Sequence, residues 1–169
     1  MRRCFAPLIT ARTVRTQCQV LAAPRGAVRT VTEDMDVTQG KLAMGFRTGG
    51  ITEGSPDYPA LLVLNALYGG SANSRLFLTV REKLSLCYYA SSMLDKLKGL
   101  MVVSSGVEFQ DFDRAQEAIL APLDELRAGR FTQQELNAAV RSVVSSLRGR
   151  RDSQSMLEDD CVTKLVCGL

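Results

Sequence analysis

The chain has 169 residues, of which 46% are hydrophobic and 23% are charged, so it is long enough for one ordinary globular domain with a buried core. No apolar run approaches the roughly 20 residues of a membrane-spanning helix, so we predict no membrane partner. The absence of histidine argues against serine-type nucleophilic catalysis, and since the cysteines are not clustered, convergent carboxylates are the one conceivable set of ligands for a zinc site.

The formal net charge of +3 is unevenly distributed along the chain. Residues 1–32 hold six arginines and no acidic residue, so residues 33–169 carry a net charge of −3. An arginine-rich, acid-poor arm fits a nucleic-acid partner, an organelle transit peptide or a solvated linker. Because no aromatic residues are interleaved with the arginines, nucleic acid is the less favoured partner. We interpret residues 1–36 as an arm or linker and residues 37–169 as the domain.

The five cysteines are odd in number, widely spread and without C-x-x-C spacing. Most lie beside apolar residues, so we predict reduced, buried thiols and a cytoplasmic protein. Neither a metal nor another cofactor is expected in this chain. The cysteines are Cys4, Cys18, Cys87, Cys161 and Cys167.

The first regular pattern lies at residues 41–47, where apolar and polar side chains alternate as in a half-buried strand. Pro59 then fits the first turn of a helix, and residues 60–67 are apolar nearly all round. We expect this helix to be central and to end at Gly69 and Gly70.

A shorter helix is predicted over residues 74–83, with Ser71 or Asn73 as its N-cap. Two β-rich runs follow at residues 87–94 and 99–107, joined by a short polar connection. Their spacing predicts an antiparallel hairpin.

Two further helices are predicted in the second half of the chain. The first is capped by Asp111 or Asp113 and ends at Gly129, and Pro122 should kink or shorten it. The second opens with a capping box from Thr132 to Glu135. Its expected apolar face consists of Leu136, Val140, Val143 and Leu147.

Paired strands beside helices, without strict βαβ alternation, indicate an α+β fold in which helices pack on one face of an antiparallel sheet. Another partly apolar segment, residues 156–169, ends the sequence.

The most informative stretch runs from the Gly69-Gly70 turn through S-R-L-F at residues 74–77 and V-R-E-K at 80–83 to L-C-Y at 86–88. This order resembles the pitrilysin/insulinase (inverzincin) family of metallopeptidases. The resemblance implies one half of a pitrilysin-like or LuxS-type metallohydrolase domain, incomplete at its C-terminus. Residues 32–42 and 57–65 look closest to a bacterial branch associated with 5-aminopentanol modification of elongation factor P.

Members of that family are built from two similar halves or chains that close around a peptide. One half carries the zinc motif H-x-x-E-H, which a chain without histidine lacks. The resemblance therefore implies the zinc-less, substrate-binding half, with zinc and catalysis in the partner and no catalytic residue here. The resemblance also implies that Arg81 and Tyr88 bind substrate, with Tyr89 as the less favoured alternative to Tyr88. It implies that Gly69 and Gly70 form a loop near the site.

The family resemblance also allows the strand at residues 41–48 to pair with the substrate edge to edge. Arg75 is interpreted either as a salt bridge to the sheet edge or as a docking residue for the partner half. For Arg81 the simpler alternative is a surface ion pair with Glu82, and for Tyr88 it is ring packing.

The expected partners are a zinc-bearing pitrilysin-like half or chain and a peptide substrate. Uncovered apolar surface in an incomplete half would also favour self-association. The alternatives are a structural subunit that keeps the fold without handling peptide, or a regulator in a protein-modification pathway.

Overall fold

The computed structural model describes residues 26–167, of which residues 166 and 167 are described by their backbone alone. Its three strands form one antiparallel sheet in the order β1-β3-β2, flanked by helices, so the predicted α+β class is confirmed. The elements are β1 (Gly40–Arg47), α1 (Tyr58–Tyr68), a π-helix (Leu76–Lys83), β2 (Cys87–Asp95), β3 (Leu100–Val107), a 3-10 turn (Phe109–Asp111), α2 (Phe112–Arg127), α3 (Gln133–Arg150) and α4 (Gln154–Cys167).

One face of the sheet packs against the helices and forms the core. Alternate residues of β1 point into it, as the period-2 pattern predicts, and Met44 pairs with the buried Val103 of β3. Helix side chains such as Tyr68 and Ile119 complete the same apolar cluster. On the opposite face, Met93 of β2 is 63% exposed.

Helix α1 ends where the sequence predicts, and the structure shows why glycine is needed there. The carbonyl of Asn65 accepts N–H bonds from Gly69 at 2.9 Å and from Gly70 at 2.7 Å. The carbonyl of Gly69 accepts the N–H of Ser92 at 3.0 Å, and a Cβ at Gly69 would lie 2.7 Å from the Ser92 hydroxyl oxygen. Gly69 therefore allows α1 to end directly against β2.

The predicted short helix forms, but as a π-helix rather than an α-helix. Its last turn is closed by the Leu84 N–H donating to the carbonyl of Thr79 at 3.0 Å, a span of five residues. The predicted cap at Ser71 or Asn73 is wrong. Ser71 instead donates its hydroxyl to the carbonyl of Ala66 at 2.9 Å, and Ser74 accepts the N–H of Phe77 at 3.4 Å.

The shortening of α2, one of the two effects expected of Pro122, does not occur. The helix runs continuously from Phe112 to Arg127, with Pro122 buried inside it. Burial of the proline ring on the core side offsets the backbone hydrogen bond that proline cannot donate. Asp111 occupies the N-cap position, as one of the two predicted candidates, but its side chain makes no capping hydrogen bond and pairs with Arg114 at 3.0 Å.

Helix α3 opens with the predicted capping box. Glu135 donates its N–H to the Thr132 hydroxyl at 3.2 Å, and the Thr132 N–H donates to the Glu135 carboxylate at 2.7 Å. The predicted apolar face is partly wrong. Leu136 and Val143 pack on the core around the buried Ala139, whereas two other members of that face are exposed. They are Val140, 41% exposed, and Leu147, 45% exposed.

Helix α4 covers little of the core. Its exposed apolar side chains are Met156, Leu157, Val162 and Leu165. Cys161 is also exposed, so the expectation of buried thiols is wrong for that residue. Cys4 and Cys18 lie outside the described residues, as does the side chain of Cys167. Within residues 26–167, no helix combines the length and apolarity needed to cross a bilayer.

Candidate functional site

Arg81 and Tyr88 lie on either side of the connection between the π-helix and β2. Arg81 belongs to the last turn of the π-helix, and Tyr88 is the second residue of β2. Both side chains belong to elements fixed on the core, since Val80 and Leu86 are buried beside them.

Three backbone irregularities occur together in this short stretch. The first is the π-helix itself, a form often found at functional sites. The second is Ser85, whose φ of 50° is the one positive value among the non-glycine residues described. The third is a β-bulge, because Cys87 pairs with Val107 and Tyr89 with Gly106, leaving Tyr88 as the extra residue. The bulge redirects the Tyr88 side chain, which is 65% exposed.

The Arg81 guanidinium is half exposed and stacked on an aromatic ring. Its central carbon lies 4.7 Å from the centroid of the Phe77 ring, within cation–π range. Its Nε lies 3.9 Å from the nearer carboxylate oxygen of Glu82, which is a weak, solvent-exposed ion pair. The ring therefore holds the guanidinium in place while leaving most of its donors open.

Tyr88 does not pack its ring into the core. Its hydroxyl donates a hydrogen bond to Oε1 of Glu108, the residue after β3, at 3.2 Å. The neighbouring Tyr89 lies across the sheet, since a Cβ at Gly106 would meet its ring at 2.7 Å. Tyr89 thus has a packing role on the sheet, whereas Tyr88 presents its hydroxyl at the rim.

A depression of about 150 Å³ lies beside Tyr88, lined by Ser85, Leu86, Cys87, Tyr88 and Glu108. Burial raises the pKa of the Cys87 thiol, and a hydrogen bond with Ser105 and the charge of Arg81 lower it less strongly. The thiol therefore stays protonated near neutral pH and is a poor nucleophile. The N–H of Leu86, which lines the depression, donates to the carbonyl of Val80 at 3.1 Å, so the backbone next to Arg81 lies against this part of the chain.

Gly69 and Gly70 line a second, more open concavity of about 450 Å³, together with Phe77 and part of β2. Phe77 is the ring on which Arg81 stacks. Phe77 is therefore common to the lining of this concavity and to the contact with Arg81.

Arg75 has a structural role that differs from both interpretations made from the sequence. Its Nε and Nη1 pair with Glu135 at 3.0 Å and with Glu125 at 2.8 Å, and Nη2 donates to the carbonyl of Arg130 at 2.7 Å. These contacts join the start of the π-helix to α2 and α3. They lower the pKa of Glu135 to about 2, mainly through the hydrogen bond with Arg75 and the N–H of Thr132.

No local pattern singles out Glu108, because it lies 20 residues from Tyr88. The predicted hairpin nevertheless places the two residues near each other. Pairing the start of one strand with the end of the other sets Cys87 against Val107, and Tyr88 and Glu108 are each one residue from that pair.

Zinc does not fit the residues described. The sequence has no histidine, and within residues 26–167 no group of three or more cysteine, aspartate or glutamate side chains converges on a point. Soft or imidazole ligands, which zinc prefers in proteins, are therefore not assembled in that part of the chain.

Comparison with known proteins places these features in a family context. Residues 12–143 match the family described as the peptidase M16 inactive domain. The chain is 45% identical over 106 residues to the Bacillus subtilis (strain 168) protein named probable inactive metalloprotease YmfF, covering 63% of this chain and 25% of that protein. It is 30% identical over 131 residues to the uncharacterized zinc protease YmxG of the same strain, covering 75% and 31%.

Among solved structures, a conserved protein from Enterococcus faecalis V583 superposes with a TM-score of 0.72 at 28% identity. The superposition covers 83% of this chain and 34% of that protein. The chain spans only a quarter to a third of the length of the curated relatives, 25% and 31%. The resemblance to the elongation factor P branch stays a prediction, since none of these names bears on it.

Proposed function

The chain belongs to the peptidase M16 inactive-domain family, and on that premise we propose that it is the zinc-less, substrate-binding half of an M16-type peptidase. It binds peptide through Arg81 and Tyr88 and completes the active chamber of a zinc-bearing partner half or chain. Hydrolysis belongs to the complex, because a chain without histidine cannot supply the H-x-x-E-H motif.

The observation that carries this proposal is the backbone link between the segments that hold Arg81 and Tyr88. The carbonyl of Val80, next to Arg81, accepts the N–H of Leu86 at 3.1 Å, and Leu86 lines the depression together with Tyr88. The strained Ser85 and the bulge at Tyr88 fix the chain between the two segments. Two polar groups held on such a frame can contact an extended peptide without large loss of side-chain entropy.

The chemistry of the two groups suits backbone recognition. A guanidinium offers several N–H donors in a fixed plane and stays charged at any physiological pH. A phenol hydroxyl can donate or accept at neutral pH. Donors directed at a developing oxyanion contribute about 3 kcal/mol each to catalysis, so such a half would increase the rate of its partner.

The proposal of a zinc-bearing partner is supported by the relative YmxG, whose name describes a zinc protease. That relative is about three times as long as the matched segment, which covers 31% of it. A cytoplasmic location is part of the same proposal and is supported by the free thiols of Cys87 and Cys161.

The test is reconstitution with an H-x-x-E-H-bearing chain from the same genome and a fluorogenic peptide. Arg81→Ala and Tyr88→Phe should each lower kcat/KM of the complex by roughly 10²-fold, the usual cost of removing one oxyanion donor. Assembly, measured by sedimentation, should be unchanged, because the Arg81 side chain is half exposed and Tyr88 is largely exposed.

Matched controls are Arg114→Ala, an exposed arginine that pairs with Asp111, and Tyr58→Phe. Neither belongs to the depression, so both should keep full activity. If the Arg81 and Tyr88 variants assemble normally and keep the kcat/KM of the unaltered complex, peptide binding through this pair is rejected.

A second candidate function is a structural subunit that binds a partner without handling peptide. It is favoured by apolar residues that α3 leaves exposed, namely Val140, Val144 and Leu147. The same surface supports self-association of the isolated chain. This candidate requires unchanged peptidase activity in the Arg81 and Tyr88 variants and loss of assembly when Val144 is replaced by lysine.

A further inference from the structure

Glu108 gives the depression beside Tyr88 an acidic side. Its carboxylate accepts the Tyr88 hydroxyl through Oε1 at 3.2 Å. Among residues 26–167, no lysine or arginine forms an ion pair with it. A carboxylate has two oxygens and several lone pairs, so Glu108 can keep its contact with Tyr88 and still accept a cation.

Leu86 and Cys87 form the apolar part of the depression, beside the polar Ser85. Leu86 is buried at 6% exposure, and the protonated thiol of Cys87 is half-buried beside it. The volume of about 150 Å³ is well above the roughly 10–15 Å³ that a single water needs, so a side chain can enter the depression. An apolar part with one charge at the rim matches a side chain that has a methylene stem and a cationic head.

We propose that this depression receives a lysine or arginine side chain of the bound peptide, with Glu108 as the residue that selects it. The proposal rests on the proposed function, since it names the substrate class of the same site. The stem lies on Leu86 and Cys87, and the cationic head reaches the carboxylate of Glu108.

Arg81, in the last turn of the π-helix and outside the lining of the depression, gives the site a direction. Its guanidinium attracts backbone carbonyls and repels a cationic side chain, whereas Glu108 has the opposite preferences. A peptide therefore binds with a carbonyl towards Arg81 and its basic side chain towards Glu108. Because both groups are solvent-exposed, the preference is modest and decreases as salt is added.

The test compares two fluorescein-labelled peptides that differ in one charge. One is fluorescein-Ala-Ala-Lys-Ala-Ala-amide, with the dye joined through an amide to the N-terminal nitrogen, and the other carries norleucine in place of lysine. Fluorescence anisotropy with the full chain should show the lysine peptide binding roughly two- to fivefold more tightly at low salt, as expected for an exposed ion pair. Glu108→Gln keeps an oxygen that accepts the Tyr88 hydroxyl and removes the charge, so the preference should disappear while the norleucine peptide binds as before.

Glu117→Gln is the matched control, because Glu117 is an exposed glutamate of α2 outside the depression. It changes the net charge equally and should keep the lysine preference. Equal binding of the two peptides to the unaltered chain, or a lysine preference that survives in Glu108→Gln, overturns the role of Glu108. Either result leaves the proposed function standing. If neither peptide binds, or if both bind but Arg81→Ala weakens neither, the proposed function fails and this inference fails with it.

Discussion

The hydroxyl of Tyr88 lies 3.2 Å from the carboxylate of Glu108, although 20 residues separate them in the sequence. The antiparallel register of β2 and β3 brings the two backbones together, and the bulge at Tyr88 points the ring towards the strand end. A residue that the sequence does not single out is therefore joined to one that it does. Because of this contact, the candidate site holds a carboxylate beside the phenol, and both groups line one depression.

Removing the Arg75 side chain should destabilise the fold. Arg75→Ala leaves Glu125 and Glu135 without their shared partner and frees the carbonyl of Arg130. Because the arginine side chain is only 15% exposed, we expect a loss of about 2 kcal/mol in the free energy of unfolding, measured by urea denaturation.

The control for this prediction is Arg114→Ala, whose side chain is 70% exposed and pairs with Asp111 on the surface. This variant should lose less than about 0.5 kcal/mol in the free energy of unfolding. Equal urea midpoints for the two variants would mean that the contacts of Arg75 are not those described.

Acid should weaken the same junction through Glu135. Its pKa is lowered from 4.5 to about 2 in the folded chain, so the unfolded chain binds a proton more readily. The stabilisation from Glu135 is thus complete above pH 4.5 and is lost as the pH falls towards 2. Because the carboxylate is about one-third exposed, 35%, we expect an effect of about 1 kcal/mol.

Other carboxylates titrate in the same range, so the measurement is a difference between two proteins. The free energy of unfolding of the unaltered chain and of Glu135→Gln should converge as the pH falls from 4.5 to 2. A constant difference across that interval would contradict the lowered pKa of Glu135.

Substituting Gly69 should be costly. Gly69→Ala would place a Cβ 2.7 Å from the Leu76 side chain and 2.8 Å from the backbone nitrogen of Ser92. The backbone atom cannot move without disturbing β2, so we expect a loss of about 1–3 kcal/mol in unfolding free energy, measured by thermal or urea denaturation.

Gly149→Ala provides the opposite case in the same protein. Gly149 lies inside α3, where an added Cβ would have no neighbouring atom within 4 Å, and its φ is not in the left-handed range. Because alanine has a higher helix propensity than glycine, the free energy of unfolding of this variant should rise by up to about 1 kcal/mol. Similar changes in the two variants would show that close packing at Gly69 is not what requires glycine.

Much of the fold was predictable because its signals are local. The capping box from Thr132 to Glu135, the alternation along β1 and the glycine turn after α1 each depend on residues a few positions apart. The motif from Gly69 to Tyr88 indicated the family for the same reason, since its members are close in the sequence.

The features that were mispredicted or missed depend on contacts between distant elements. Pro122 remains inside a continuous helix because the core packs against it. Arg75 pairs with residues 50 and 60 positions away, and no local pattern indicates which helices meet there.

The sequence by itself determined the order of strands and helices, the turns that separate them and the family resemblance, because caps, periodicity and glycine turns act over one or two helical turns. Only the tertiary structure decided that Arg75 is a structural link, that Tyr88 occupies a bulge and that Glu108 lies beside it. Those facts depend on strand register and helix packing, which are set by burial of apolar surface across the whole domain.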